Sequence, residues 1–245
     1  MSGKTIKIRS SGGGEFDCYL VEPASASKAG TVPAMVLASA VHGVDADIRA
    51  IADEFAADGY ILAAPDLFWR TVPGPLPRGD ERSRTRAQPR LERIKTGESD
   101  LVDTLGFLRT LPRFNGRAAV MGFCYGGPYA IIGPERLGYA AGVSCHGTQM
   151  LDYIGEIESV REKPICIVWG DRDHAAPANV LDAYRAIAPG SKNLDLHIFP
   201  GILHGYMMTE AGDAFDKKTR DFSMTRAKAI LDGLRGAPSS LRQAS

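Results

Sequence analysis

The 245-residue sequence predicts an α/β fold: a mostly parallel sheet of about eight strands, helices on both faces and no large cap domain. Three observations predict it. After an initial hairpin, short apolar runs alternate with stretches of helical periodicity, the signature of parallel strands joined by crossover helices. Several runs are apolar at consecutive positions, as strands buried on both faces must be. No break in composition divides the chain, so residues 1–245 are expected to form a single domain.

Taken in order, Thr5 to Arg9 and Glu15 to Glu22 flank Ser11-Gly12-Gly13-Gly14 and read as a hairpin of antiparallel edge strands. Val32 to Ala38 is a continuous apolar strand. A helix follows from about Asp47, with Ile48, Ile51 and Phe55 on one face and Gly59 as its stop. Tyr60 to Ala64 is the next strand, closed by Pro65-Asp66. The Pro- and Arg-rich stretch from Arg70 to Lys95 reads as a surface excursion with a short helix. From Ser99 to Leu111, leucines 101, 105, 108 and 111 keep helical spacing, and Glu98 and Asp100 suit a helix N-terminus. Strands are expected at Ala118 to Gly122, Ala140 to Cys145, Pro164 to Gly170 and Leu194 to Phe199. Helices are expected at Val180 to Ala188 and from about Ala214 to Leu234.

Charge is balanced, 29 basic against 29 acidic residues, so it gives no argument for nucleic acid or for an anionic membrane as partner. The segment Met1-Ser2-Gly3-Lys4-Thr5 lacks the apolar core of a signal peptide, and no apolar run is long enough to span a bilayer. A cytoplasmic protein, monomeric or a small homo-oligomer, is the expectation. Cys18, Cys124, Cys145 and Cys166 form no C-x-x-C pair and no zinc-like Cys/His spacing, so no metal and no other cofactor is expected. Cys18 and Cys166, inside strand-like runs, read as buried inert thiols.

The strongest local signal is Gly122-Phe123-Cys124-Tyr125-Gly126-Gly127, directly after a strand. It is the G-x-S-x-G turn of an α/β-hydrolase with cysteine in place of serine. Such a turn lifts the nucleophile above the C-terminal edge of the sheet, and its neighbouring amide, here that of Tyr125, can face an oxyanion. In this fold the acid and the histidine follow the nucleophile in that order. Past the strand ending at Gly170 come Asp171-Arg172-Asp173-His174. Asp173 is taken as the acid, and Asp171 as a cap of the tight turn. Past the Leu194 to Phe199 strand comes His204, before the final helix. His204 would take or hold the thiol proton while Asp173 orients the ring. A second oxyanion amide is expected near Val41, after the Val32 to Ala38 strand.

These residues resemble the dienelactone hydrolases (carboxymethylenebutenolidases). The resemblance rests on the Gly122–Gly127 turn, on Gly59-Tyr60 followed by Ala64-Pro65-Asp66-Leu67, on Asp80-Glu81-Arg82-Ser83-Arg84, on Asp173-His174 and on His204. It implies Cys124, Asp173 and His204 as a triad and Arg84 as a ligand for a substrate carboxylate. It also implies a second arginine four residues after the histidine, where this sequence has Met208. A glutamate that contacts the resting thiol is implied where this sequence has Ala40. His42 lies close by and could fill part of that space or shape the oxyanion loop.

Seven basic residues against three acidic between Arg78 and Lys95 make that segment locally cationic. It reads either as attraction for an anionic substrate or as a solvated helix with its own ion pairs. Trp69 and Tyr206, with Phe68 and Tyr125, could wall an apolar pocket or belong to the core, and Cys145-His146 could border the site. The expected activity is hydrolysis of a small ester or lactone, anionic if Arg84 binds substrate. The alternatives are a broad-range carboxylesterase or thioesterase, and a small-molecule-binding protein with an idle triad.

Overall fold

In a computed structural model, the structure describes residues 3–24, 30–160, 162–176 and 178–236. Met1 and Ser2 of the N-terminal segment lie outside them. The strands are β1 (Lys4–Arg9), β2 (Glu15–Val21), β3 (Val32–Ala38), β4 (Ile61–Pro65), β5 (Phe114–Phe123), β6 (Ala141–Cys145), β7 (Ile165–Gly170) and β8 (Leu194–Phe199). The helices are α1 (Ala46–Ala57), α2 (Glu81–Thr85), α3 (Arg90–Leu108), α4 (Tyr129–Arg136), α5 (Val180–Ile187) and α6 (Lys217–Gly233). The strands form one sheet in the order β1-β2-β4-β3-β5-β6-β7-β8. β1 and β2 pair antiparallel, β2 pairs antiparallel with β4, and every other pairing is parallel.

The fold is the expected one, with local differences. Only β1 of the hairpin lies at the edge, because β2 also pairs with β4. α3 begins at Arg90, nine residues before the expected start at Ser99. Gly97, which weakens any helical pattern, is tolerated inside α3 because the Tyr129 hydroxyl stands 2.2 Å from where its Cβ would be. That hydroxyl donates to the Ile94 carbonyl at 2.8 Å. α6 starts three residues later than expected, after two short 3-10 turns at Thr209–Ala214 that meet in a kink at Gly212. Asp216 caps it by accepting from the Thr219 amide.

Two apolar layers hold the sheet. α1 and α6 bury Ile48, Ile51, Phe55, Met224 and Leu231 against one face. α3, α4 and α5 bury Leu101, Leu105, Ile131 and Tyr184 against the other. Each fully buried Leu or Ile contributes about 1.5–3 kcal/mol. Among the described residues, no helix is long and apolar enough to cross a membrane.

The parallel register decides where chemistry can occur. Ala38 pairs with Gly122, Phe123 with Cys145, Cys145 with Val168 and Gly170 with Phe199. The loops after β3, β5, β6, β7 and β8 therefore open at one edge of the sheet. The chain runs from β3 out to β4 and returns to β5 on the other side of β3. This reversal places the β3 and β5 loops at the switch point where α/β sheets bind ligands.

Candidate active site

Cys124 is the first residue after β5, with φ +52°. A non-glycine residue in this left-handed region costs of order 1–3 kcal/mol and needs support from its surroundings. The flanking glycines supply it. A Cβ on Gly122 would lie 1.9 Å from the Gly126 carbonyl oxygen, and one on Gly126 would lie 2.1 Å from the Ala38 carbonyl oxygen. The Cys124 carbonyl is fixed by the amides of Gly127 at 3.0 Å and Thr148 at 2.9 Å.

Asp173 follows β7 and is buried, with no exposed side-chain surface. Both its carboxylate oxygens face His204 Nδ1, at 2.8 and 2.9 Å, and its Oδ1 also accepts from the Ala175 amide. Asp171 takes a different part from the one expected. Its Oδ1 accepts from the Gly201 amide at 2.7 Å, so it ties the β7 loop to the turn after β8 instead of capping its own turn.

Cys124 and His204 line one cavity of about 420 Å³. Burial raises the thiol pKa, but His204, the Arg90 guanidinium and the Tyr125 amide together pull it below the ordinary thiol value. Burial acts against the His204 imidazolium too. The facing thiolate and Asp173 override it and push the His204 pKa up to about 10. The shifts are opposite in sign, and each favours the charged form of its group: thiolate at Cys124 and imidazolium at His204. Cys18, Cys145 and Cys166 have pKa values raised by burial, as inert thiols do.

The other expected site residues divide. Val41, His42, Arg84 and Met208 line the cavity, as does Ala40. Tyr125 adjoins the nucleophile through its amide, while its ring is buried beneath against Phe68. Trp69 and Tyr206 are not among the lining residues. Trp69 stacks on Phe16 and donates to the buried Asp100 carboxylate at 3.1 Å, where Arg70 also binds. Tyr206 is fully buried, and its hydroxyl meets the Val168 carbonyl and the Ser223 hydroxyl. Both aromatic rings have polar tips that found partners inside the protein, which removed them from the cavity.

Sequence reasoning missed Arg78, Arg90, Thr148 and Ala175 as lining residues. It also left His146 undecided. His146 lines the cavity at φ +41°, with its ring edge-on to His204 at 4.9 Å. Neither of its ring nitrogens has a hydrogen-bond partner among the described residues, and burial holds its pKa well below the ordinary histidine value. A neutral His146 ring therefore packs against His204. Burial likewise lowers the His42 pKa, so His42 adds no charge at neutral pH. A signal for Arg78 and Arg90 was present in the cationic bias of the segment, but it did not single them out.

Arg86 was counted only as one of the basic residues, yet it is structural. Its guanidinium donates to the carbonyls of Val41, Val72 and Gly74 at 2.6–3.1 Å and lies 4.3 Å over the Phe68 ring. It thereby holds the loop after β3 against the excursion after β4.

For a metal, the described residues offer two clusters. Cys166, Asp195 and His197 place ligand atoms within 4.8 Å of one another, as do Asp45, Asp47 and Glu210. In the first, Asp195 is already engaged by the Arg226 guanidinium. In the second, Asp47 accepts from the amides of Thr209 and Glu210 and pairs with Arg78. Each has a protein-internal role, and none of these six residues lines the cavity.

The dienelactone hydrolase family model matches residues 16–233. The chain belongs to the dienelactone hydrolase family. It is 26% identical over 231 residues to carboxymethylenebutenolidase 1 of Cupriavidus pinatubonensis, covering 92% of this chain and 95% of that one. It is 27% identical over 235 residues to a putative carboxymethylenebutenolidase of Azospirillum brasilense, covering 92% and 96%. In fold it is similar to a putative dienelactone hydrolase of Klebsiella pneumoniae (TM-score 0.76, 17% identity, 94% of this chain and 98% of that one). A dienelactone hydrolase-like promiscuous phosphotriesterase from metagenomic libraries also shares the fold (TM-score 0.75, 18% identity, 96% and 100%). These likenesses place the eight-stranded sheet and its helices in the α/β-hydrolase fold.

Proposed function

We propose that this dienelactone hydrolase family member hydrolyses small esters or lactones with Cys124 as nucleophile, His204 as proton carrier and Asp173 as its orienting acid. The observation that carries the reading is the chain of contacts from Asp173 through His204 to the strained Cys124, the last two lining a cavity large enough for a small ester.

The steps follow from the positions. The Cys124 thiolate attacks the acyl carbonyl, a sulfur–carbon bond forms, and the oxygen takes the charge. The Tyr125 and Val41 amides are assigned to that oxyanion. Collapse breaks the bond to the alcohol oxygen, which takes its proton from the His204 imidazolium. Water then attacks the thioester, gives a proton to neutral His204, and expels the thiolate. Asp173 keeps Nδ1–H as the donor toward itself, which leaves Nε2 for the sulfur and the substrate.

Ala40 and Met208 give this cavity an apolar patch, and among the described residues no carboxylate lines it. With no acid beside the resting sulfur, Cys124 is held as thiolate before substrate arrives. We assign the whole span that the family model matches to one catalytic domain.

The test is kcat/KM for an anionic dienelactone and for a neutral aryl ester, each against Cys124→Ala. Hydrolysis of either above the variant's background supports the proposal. A lactone preference of about tenfold, or 1.4 kcal/mol, makes the family's lactone the substrate type. Hydrolysis of neither overturns the proposal and favours a binding protein on the same fold.

A further inference from the structure

The cavity's arginines come from one segment. Arg78, Arg84 and Arg90 all belong to the excursion between β4 and the start of α3. Ala40, Ala175 and Met208, from other loops at the sheet edge, supply apolar lining. Of the three acids between Arg78 and Lys95, two are engaged by other arginines, and the third, Glu81, is exposed and does not line the cavity. Asp80 binds Arg82 at 2.6 Å, and Glu92 binds Arg93 at 2.8 Å. Arg78 is compensated by Asp47 at 3.4 Å. Among the described residues, neither Arg84 nor Arg90 has a carboxylate partner, so two positive charges face the cavity uncompensated.

The two occupy different places. Arg84 is exposed, on the short helix α2, and its charge is felt by His42 in the loop after β3. Arg90 is half-buried, and its Nη1 donates to the Thr148 hydroxyl at 2.9 Å. The Thr148 amide in turn donates to the Cys124 carbonyl. A single tether therefore holds the Arg90 guanidinium beside the nucleophile, while Arg84 stands at the mouth. Partly desolvated guanidinium groups are costly to leave unpaired, and planar five-donor forks suit carboxylates.

We infer that Arg90 forms a second anion subsite, separate from the carboxylate ligand that the family resemblance implies at Arg84, and that the substrate is an ester or lactone carrying two carboxylates, one near the scissile bond and one at the cavity mouth. The inference rests on the hydrolase reading of the same site. The apolar patch around Met208 takes the carbon skeleton between the charges. Arg90 is thus a specificity-determining residue, fixed by Thr148.

The test compares phenyl butyrate, monophenyl glutarate and monophenyl propane-1,2,3-tricarboxylate, which carry no, one and two carboxylates. Phenol release gives kcat/KM for the wild type, Arg84→Met, Arg90→Met and Arg90→Lys. The expected result is a rise of about tenfold per carboxylate in the wild type. Arg90→Met removes one step and Arg84→Met the other, chiefly through KM. Arg90→Lys, which keeps the charge, retains most of the preference. Equal rates for the one- and two-carboxylate esters overturn the inference. So does an equal loss on all three esters in Arg90→Met, which would mean that Arg90 only braces the Thr148 loop.

Calorimetry of the corresponding methyl esters with Cys124→Ala protein separates this inference from the hydrolase reading. Tighter binding of the dianion there supports the subsites even if no ester is turned over. No preference there rejects them even if hydrolysis is fast.

Discussion

The C-terminal edge of the sheet and the excursion after β4 meet at the same cavity, but they are built by different rules. At the sheet edge, strand register fixes every functional position. Cys124, Asp173 and His204 each stand just beyond a parallel strand, and backbone hydrogen bonds decide where each strand ends. In the excursion no ladder exists. Position is set by side chains, above all by Arg86, whose guanidinium gathers three carbonyls, and by Asp47, which anchors Arg78. The first region would carry the reaction and the second the choice of substrate, so they should respond differently to change.

Substitutions at the sheet edge should cost most in rate and little in stability. Cys124→Ala or His204→Ala is expected to lower kcat/KM by about 10⁴-fold or more, and Asp173→Asn by about 10³–10⁴-fold. Circular dichroism should show each variant folded. A loss below tenfold in any of the three would break the comparison.

In the excursion the largest effect should be on stability. Arg86→Met leaves the buried Val41 carbonyl and the half-buried Val72 and Gly74 carbonyls without their donor and is expected to cost about 2–4 kcal/mol, measured as a lower midpoint in urea. Arg84→Met at the exposed mouth should change stability by less than about 0.5 kcal/mol. Similar midpoints for the two variants would show that Arg86 does not brace the loop.

The pH dependence sharpens the contrast further. The Cys124 pKa is depressed, so thiolate persists above that lowered value and is lost only as pH falls through it. The rate of iodoacetamide alkylation should therefore have its midpoint below the usual thiol value of about 8.5. The His204 pKa is raised, so its proton stabilises the folded pair fully below the ordinary histidine value and is lost as pH rises through about 10. His204→Ala should move the alkylation midpoint upward. An unmoved midpoint would assign the activated thiol to something other than the imidazolium.

The smallest effect on rate is expected at Trp69. Trp69→Phe removes one hydrogen bond to Asp100 and should cost about 1–2 kcal/mol of stability. Its kcat/KM should stay within about twofold, because the ring stands outside the cavity. A tenfold change would return Trp69 to the substrate site.

The same contrast explains what could be read from the sequence. The apolar runs, the Gly122–Gly127 turn and the positions of Asp173 and His204 after their strands depend on local rules, and the fold matched them closely. Trp69 and Tyr206 stayed open between pocket and core because an aromatic residue beside a motif can turn either way, and only the tertiary partners Asp100 and Ser223 decide which. Arg90 and Arg86 were indistinguishable members of a basic segment. Their roles come from contacts with Thr148 and Val41, which are 58 and 45 residues away along the chain. The start of α3 was hidden by Gly97, whose tolerance depends on Tyr129 in another helix.

The central claim is that Cys124 carries the acyl group. It is tested most directly by rapid acid quench of the wild-type protein with an activated aryl ester, followed by intact-mass analysis and peptide mapping. The account predicts one acyl mass increment per chain, on the peptide containing Cys124 and absent from Cys124→Ala. An increment located on another residue, or turnover in Cys124→Ala at the wild-type rate, would contradict it.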